Sequence, residues 1–147
     1  MDREILHKEI DLIQECIKRM AHNSFMLKGW AISLIAVVLA LGKDYDFRYL
    51  SLILLLPTIS FWYLDAFFLK TEKMYRKMYE WTIANRLKTE DHSYKLNPHR
   101  FSNVVQSEFR VMFSKTLFVF YGIPTFTLII VWLITSRVLS FICEFFK

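Results

Sequence analysis

The chain has 147 residues, a formal net charge of +5 at pH 7, and a composition that is 54% hydrophobic with only three Gly and three Pro. So much apolar side chain and so little turn-forming sequence exclude an ordinary soluble enzyme domain and leave few loops on which to mount catalytic groups. Cys16, Cys143 and the histidines at 7, 22, 92 and 99 have neither disulfide-framework nor metal-ligand spacing, so no catalytic residue, metal or cofactor is assigned.

Residues 1–24 form the first element. Leu6, Ile10, Ile13, Ile17 and Met20 recur at steps of four and three, which predicts a helix with a coiled-coil seam. Two destinations satisfy such a stripe: other copies of the chain, making these five residues the oligomerisation contact, or the membrane surface and the chain's own cytosolic helices. Ile5, Leu12 and Cys16 widen the stripe and favour packing on more than one neighbour. Asp2, Glu4, Glu9, Asp11 and Glu15 make this flank wrong for a secretory signal, so the apolar run after it is expected to stay as an anchor.

Three apolar runs follow, at about 25–42, 49–69 and 117–135. Each is long enough, at about 1.5 Å per residue, to cross a hydrocarbon core of about 30 Å. Helix is the form in which such a run keeps its amides paired in lipid. The predicted fold is therefore all-α: a polytopic membrane protein with three transmembrane helices and helical cytosolic extensions. Its parts are an amphipathic helix (1–24), a transmembrane hairpin (25–69), a basic cytosolic region (70–115), a third span (116–137) and a short extracytoplasmic tail (138–147). Of the nineteen Lys and Arg, fifteen flank the N-terminal side of span one or lie between spans two and three. Short basic loops stay inside, which predicts a cytoplasmic N-terminus and an extracytoplasmic C-terminus. Cys16 and Cys143 would then lie on opposite sides of the membrane.

Span two runs without a breaker from Phe61 to Lys88, so a helix of about 40 residues should project into the cytoplasm. The stretch 89–97 breaks it. Asn97 and Pro98 then offer an N-cap and a first helical position, predicting a further helix that feeds into span three. Gly122 and Pro124 should kink span three.

Ser51, Thr58 and Asp65 are seven apart on span two and share one face. They are pore or gate candidates, joined by Thr125 and Thr127 beside the Pro124 kink. The alternative for Ser and Thr is back-bonding within the helix, and for Asp65 an ion pair with Lys28 at the same level of span one. The cytosolic segment carries a second constellation. Arg76, Lys77, Arg86, Lys88 and Arg100 are interleaved with Tyr79, Trp81, Tyr94 and Phe101, the pairing of cations and stacking faces that a nucleotide or single-stranded oligonucleotide requires. Topology and anionic headgroups explain part of this charge, chiefly Lys70, Lys73, Arg76 and Lys77.

The strings at 19–30 (RMAHNSFMLKGW) and 61–79 (FWYLDAFFLKTEKMYRKMY) resemble hallmark stretches of small bacterial anti-phage membrane effectors. They are similar to the membrane effector of the two-gene Hailong system and, more loosely, to SLATT-type two-span effectors. The resemblance covers about the first 85 residues and contains no catalytic motif; the third span departs from the SLATT plan. It implies a bacterial inner-membrane homo-oligomer, tetramer favoured, that forms a channel held under control by a single-stranded oligodeoxynucleotide or nucleotide from a nucleotidyltransferase encoded nearby. The expected function is thus a nucleotide-controlled channel effector, with a non-enzymatic adaptor that recruits a soluble defence complex as the alternative.

Overall fold

In the computed structural model, residues 3–42, 46–89 and 91–145 are described, with side chains from Glu4 to Arg137. Cys143 falls outside the described side chains, as do Lys43 and Asp44. Two helices of equal length dominate: α1 (Arg3–Leu41) and α2 (Phe47–Asn85). Nothing in α1 interrupts helix formation, since it lacks Pro, and Glu4 in its first turn suits the positive end of the helix dipole. Asp46 caps α2 by accepting the Arg48 N–H, and the helix continues through Pro57. After α2 come a 3₁₀ turn (Pro98–Phe101), α3 (Glu108–Met112), α4 (Lys115–Leu117), a π turn (Phe118–Gly122) and α5 (Ile123–Phe145). Among the described residues there is no strand. The segments Glu4–Leu41, Phe47–Asn85 and Lys115–Arg137 are each long and apolar enough to cross a membrane.

α1 and α2 form one antiparallel hairpin. On α1 the buried positions are Glu9, Ile13, Cys16, Ser24, Leu27 and Ala31, a spacing near the helical repeat that keeps one face toward the partner helix. Gly42 closes the hairpin where a Cβ would stand 2.7 Å from the Val38 carbonyl oxygen and 2.5 Å from the Leu50 side chain, which favours glycine there. Two apolar clusters hold the molecule. In the first, Ile13 and Cys16 pack on Tyr75 and Met78, with Ile17, Met20, Leu96 and Phe101 at the edge. In the second, Ala31 meets Trp62, Ala66, Val111, Leu117 and Tyr121, so α2 is sandwiched between α1 and the C-terminal elements.

The predicted helix exists, and part of its seam packs within the chain. Ile13 is fully buried against α2 of the same chain, Ile17 and Met20 are partly buried there, and Leu6 and Ile10 stay partly exposed. The hairpin thus uses the C-terminal half of the stripe, from Ile13 to Met20. The predicted helix from Asn97 into span three is corrected. Asn97 does accept the His99 N–H and Pro98 does open a turn, yet that turn is 3₁₀ and ends at Phe101. Ser107 caps α3 afresh by accepting the Arg110 N–H on its side chain, and Ser114, in extended backbone, precedes α4 without a side-chain cap. The Trp62 indole N–H takes the Met112 carbonyl at 2.8 Å and fixes the break between α3 and α4.

Candidate functional site

Two ion pairs among the described residues bridge the two arms of the hairpin, at different levels. The first sits in the apolar part. Ser24 and Lys28 are one turn apart on α1, so both point at the same place on α2. There Asp65 is fully buried, accepting from Ser24 Oγ at 2.5 Å on one oxygen and from Lys28 Nζ at 2.5 Å on the other. Lys28 also donates to Ser24 Oγ at 2.8 Å. A carboxylate in such surroundings is tolerated only when neutralised and hydrogen-bonded, and this triad supplies both.

The third wall of this site is Tyr121, and the local sequence explains why it is there. Pro124 has no N–H for the helical ladder, and the Ile123 N–H reaches back five residues to the Phe118 carbonyl, closing a π turn. A Cβ on Gly122 would stand 2.8 Å from the Phe118 ring, so a larger residue there would push that ring aside. Tyr121 is thereby buried against α2, within electrostatic reach of the Asp65 carboxylate. Its Oη has no hydrogen-bond partner among the described residues, and neither does Thr125 Oγ1.

The other pore candidates are closed off in this chain. Ser51 donates to the Arg48 carbonyl and Thr58 to the Leu54 carbonyl, and both are buried. Ser51, Thr58 and Asp65 do share a face, and all three are buried within the chain, with α1 supplying the partners of Asp65. Thr125 is buried, whereas Thr127 is exposed and back-bonds to the Ile123 carbonyl.

The second pair lies at the opposite end of the hairpin. Arg86 Nε and Nη2 each donate to one oxygen of Glu9 at 2.5 Å, a bidentate, fully buried pair. The remaining donors hold the loop after α2: Arg86 Nη1 to the Asp91 carbonyl at 2.6 Å and Nη2 to that of His92 at 3.4 Å, while the Tyr94 N–H donates to Glu9 Oε1 at 3.3 Å. The loop accepts left-handed backbone at His92 (φ 60°) and Tyr94 (φ 55°) to present these groups, a conformation uncommon for residues with a side chain. Tyr75 Oη donates to the Leu96 carbonyl and pins the loop's far end to α2.

Above the pair, Arg100 lies over the Trp81 ring at 4.4 Å and over Phe101 at 4.7 Å, and Arg86 approaches the Trp81 ring at 5.4 Å. Burial, then the Arg86 guanidinium, lowers Arg100 from its ordinary value, with Glu9 acting in the opposite direction. Of the residues assigned to ligand binding, the fold thus gathers Trp81, Arg86, Arg100 and Phe101, with Tyr94 half exposed beside them. Arg86 itself is occupied by Glu9 and the loop carbonyls, so it positions the site and offers no free face to a ligand. Arg76 is paired with Glu72, Lys77 with Glu80, and Tyr79 accepts from Gln14, placing these three on another stretch of α2. Lys88 is exposed.

Sequence reasoning missed Glu9, Ser24 and Tyr121. A signal existed for Glu9, an acid inside an apolar stripe, and for Ser24, one turn before Lys28. A comparison with known families, curated proteins and solved structures finds no match to this chain.

Proposed function

We propose that the chain is an anti-phage membrane effector that assembles into a channel under the control of a nucleotide or single-stranded oligonucleotide bound at its basic cytosolic end. The observation that carries this reading is that one pair of helices bears both ion pairs: α1 carries Glu9 and Lys28, α2 carries Arg86 and Asp65. Nineteen helical residues separate Glu9 from Lys28, a rigid lever of roughly 29 Å. A polyanion on the Trp81–Arg100–Phe101 stack acts on the neighbouring Arg86, and any shift of α1 there is felt at Asp65. Opening in an assembly requires α1 to leave the Ser51–Thr58–Asp65 face, which then turns to a shared lumen. The resemblance at 19–30 and 61–79 supports the same reading, with the N-terminus in the cytoplasm of a bacterial inner membrane. The chain needs no catalytic group for this role.

Planar-bilayer recording of the purified protein, with and without short deoxyadenylate strands, tests it. Strand-dependent cation currents are expected; silence under both conditions together with absent strand binding removes the reading. A non-enzymatic adaptor is favoured by one observation: Ile83, Leu87 and Val104 are exposed beyond the apolar segments, an apolar surface for a soluble partner. Pull-down of a soluble complex lost in Leu87→Glu would support it.

A further inference from the structure

We propose that the open flank of the hairpin binds one anionic phospholipid at the membrane boundary. α5 and Tyr121 cover the side of α2 that faces Lys28; the opposite side of the α1–α2 seam carries a groove of about 430 Å³ lined by His22, Asn23, Met26, Trp30, Leu64 and Phe68. Its polarity is graded. His22 and Asn23 form one end, just before the apolar run of α1, and Trp30 and Leu64 form the other, about 12 Å deeper along the helix. Trp30 is 56% exposed and its ring is half polar, half apolar, suited to this depth. Arg19 extends the polar end, one turn before His22 and Asn23 on the same face of α1. It is exposed and forms no ion pair with any described residue.

A phospholipid matches this gradient point for point: a phosphodiester for Arg19 and His22, ester oxygens beside Asn23, and an acyl chain along Met26, Leu64 and Trp30. A second copy of the chain would have to bring an acid to one end and an apolar ridge to the other. The charge at Arg19 therefore selects an anionic headgroup over a zwitterionic one, by roughly fivefold for one juxtamembrane basic group, with His22 adding a hydrogen bond to the phosphodiester. This inference does not depend on channel activity.

The test uses the full-length protein in detergent micelles, titrated with phosphatidylglycerol or phosphatidylcholine brominated on the acyl chain. The readout is the part of tryptophan quenching that Trp30→Phe removes. Phosphatidylglycerol should half-saturate it at a roughly fivefold lower mole fraction, and Arg19→Gln should erase the preference while leaving quenching by phosphatidylcholine unchanged. Equal half-saturation by the two lipids in the unmodified protein overturns the proposal. So does an unquenched Trp30 with doubled mass by light scattering, which puts a second copy in the groove. Native mass spectrometry of the unmodified protein needs no variant: one retained phosphatidylglycerol per chain is expected, and a bare chain at saturating lipid overturns the assignment.

Discussion

Glu9 and Arg86 stand 77 positions apart in the chain and meet through two charge-assisted hydrogen bonds with both side chains buried. Removing one member leaves the other as a buried, uncompensated charge. Glu9→Ala and Arg86→Ala should each cost about 3–5 kcal/mol of stability, whereas Glu9→Leu with Arg86→Met should recover most of the loss. Denaturant titration in micelles followed by circular dichroism gives the cycle. Additive single losses in the double variant would mean that the pair is not coupled.

Lys28 and Asp65 should behave asymmetrically. Lys28 is about one-fifth exposed and can extend toward water when its partner is lost, but Asp65 is fully enclosed. Lys28→Met should therefore destabilise more than Asp65→Asn, which retains an acceptor for Ser24. The same unfolding measurement ranks them, and equal losses would contradict the burial difference.

Tyr121→Phe should be nearly neutral, within about 0.5 kcal/mol, because the hydroxyl it removes has no hydrogen-bond partner. Tyr121→Ala should cost about 3–5 kcal/mol, since the ring fills the cluster with Trp62, Ala66 and Leu117. A large effect of the phenylalanine variant would assign the hydroxyl a role at Asp65.

Binding of a short single-stranded oligonucleotide should weaken with salt at a log–log slope near −0.7 per neutralised phosphate. Arg100→Ala should flatten that slope by one such unit, and Trp81→Ala should lower affinity by about 1–3 kcal/mol with the slope intact. Arg76→Ala and Lys77→Ala should do less, because both cations are already paired with Glu72 and Glu80. Filter binding across a salt series separates these effects; uniform losses from all four changes would indicate diffuse attraction without a site.

The three apolar helices were legible because membrane length is a local property of sequence, and so was the break after α2, where Thr89, Asp91, His92, Ser93 and Asn97 bring several residues of low helix propensity together. The pairing of Lys28 with Asp65 was foreseeable as one of two alternatives, since like depth in adjoining spans brings the charges level. The Glu9–Arg86 contact was not, because it depends on the register of two 39-residue helices. The fragmentation of 98–122 escaped for a different reason. Pro98, Ser107 and Ser114 read as permissible starts or neutral residues, and only the Trp62 bond to Met112 and the π turn ahead of Pro124 select the broken path.

The antiparallel hairpin also limits how this architecture can vary in length. A single residue inserted in α1 between Glu9 and Ser24 would rotate one ion pair by about 100° relative to the other. Seven residues restore the facing to within about 20°, being close to two full turns, yet they also slide one pair about 10.5 Å along the axis unless α2 gains seven as well. Longer or shorter versions of the hairpin that keep both ion pairs are therefore restricted to matched two-turn steps in the two helices.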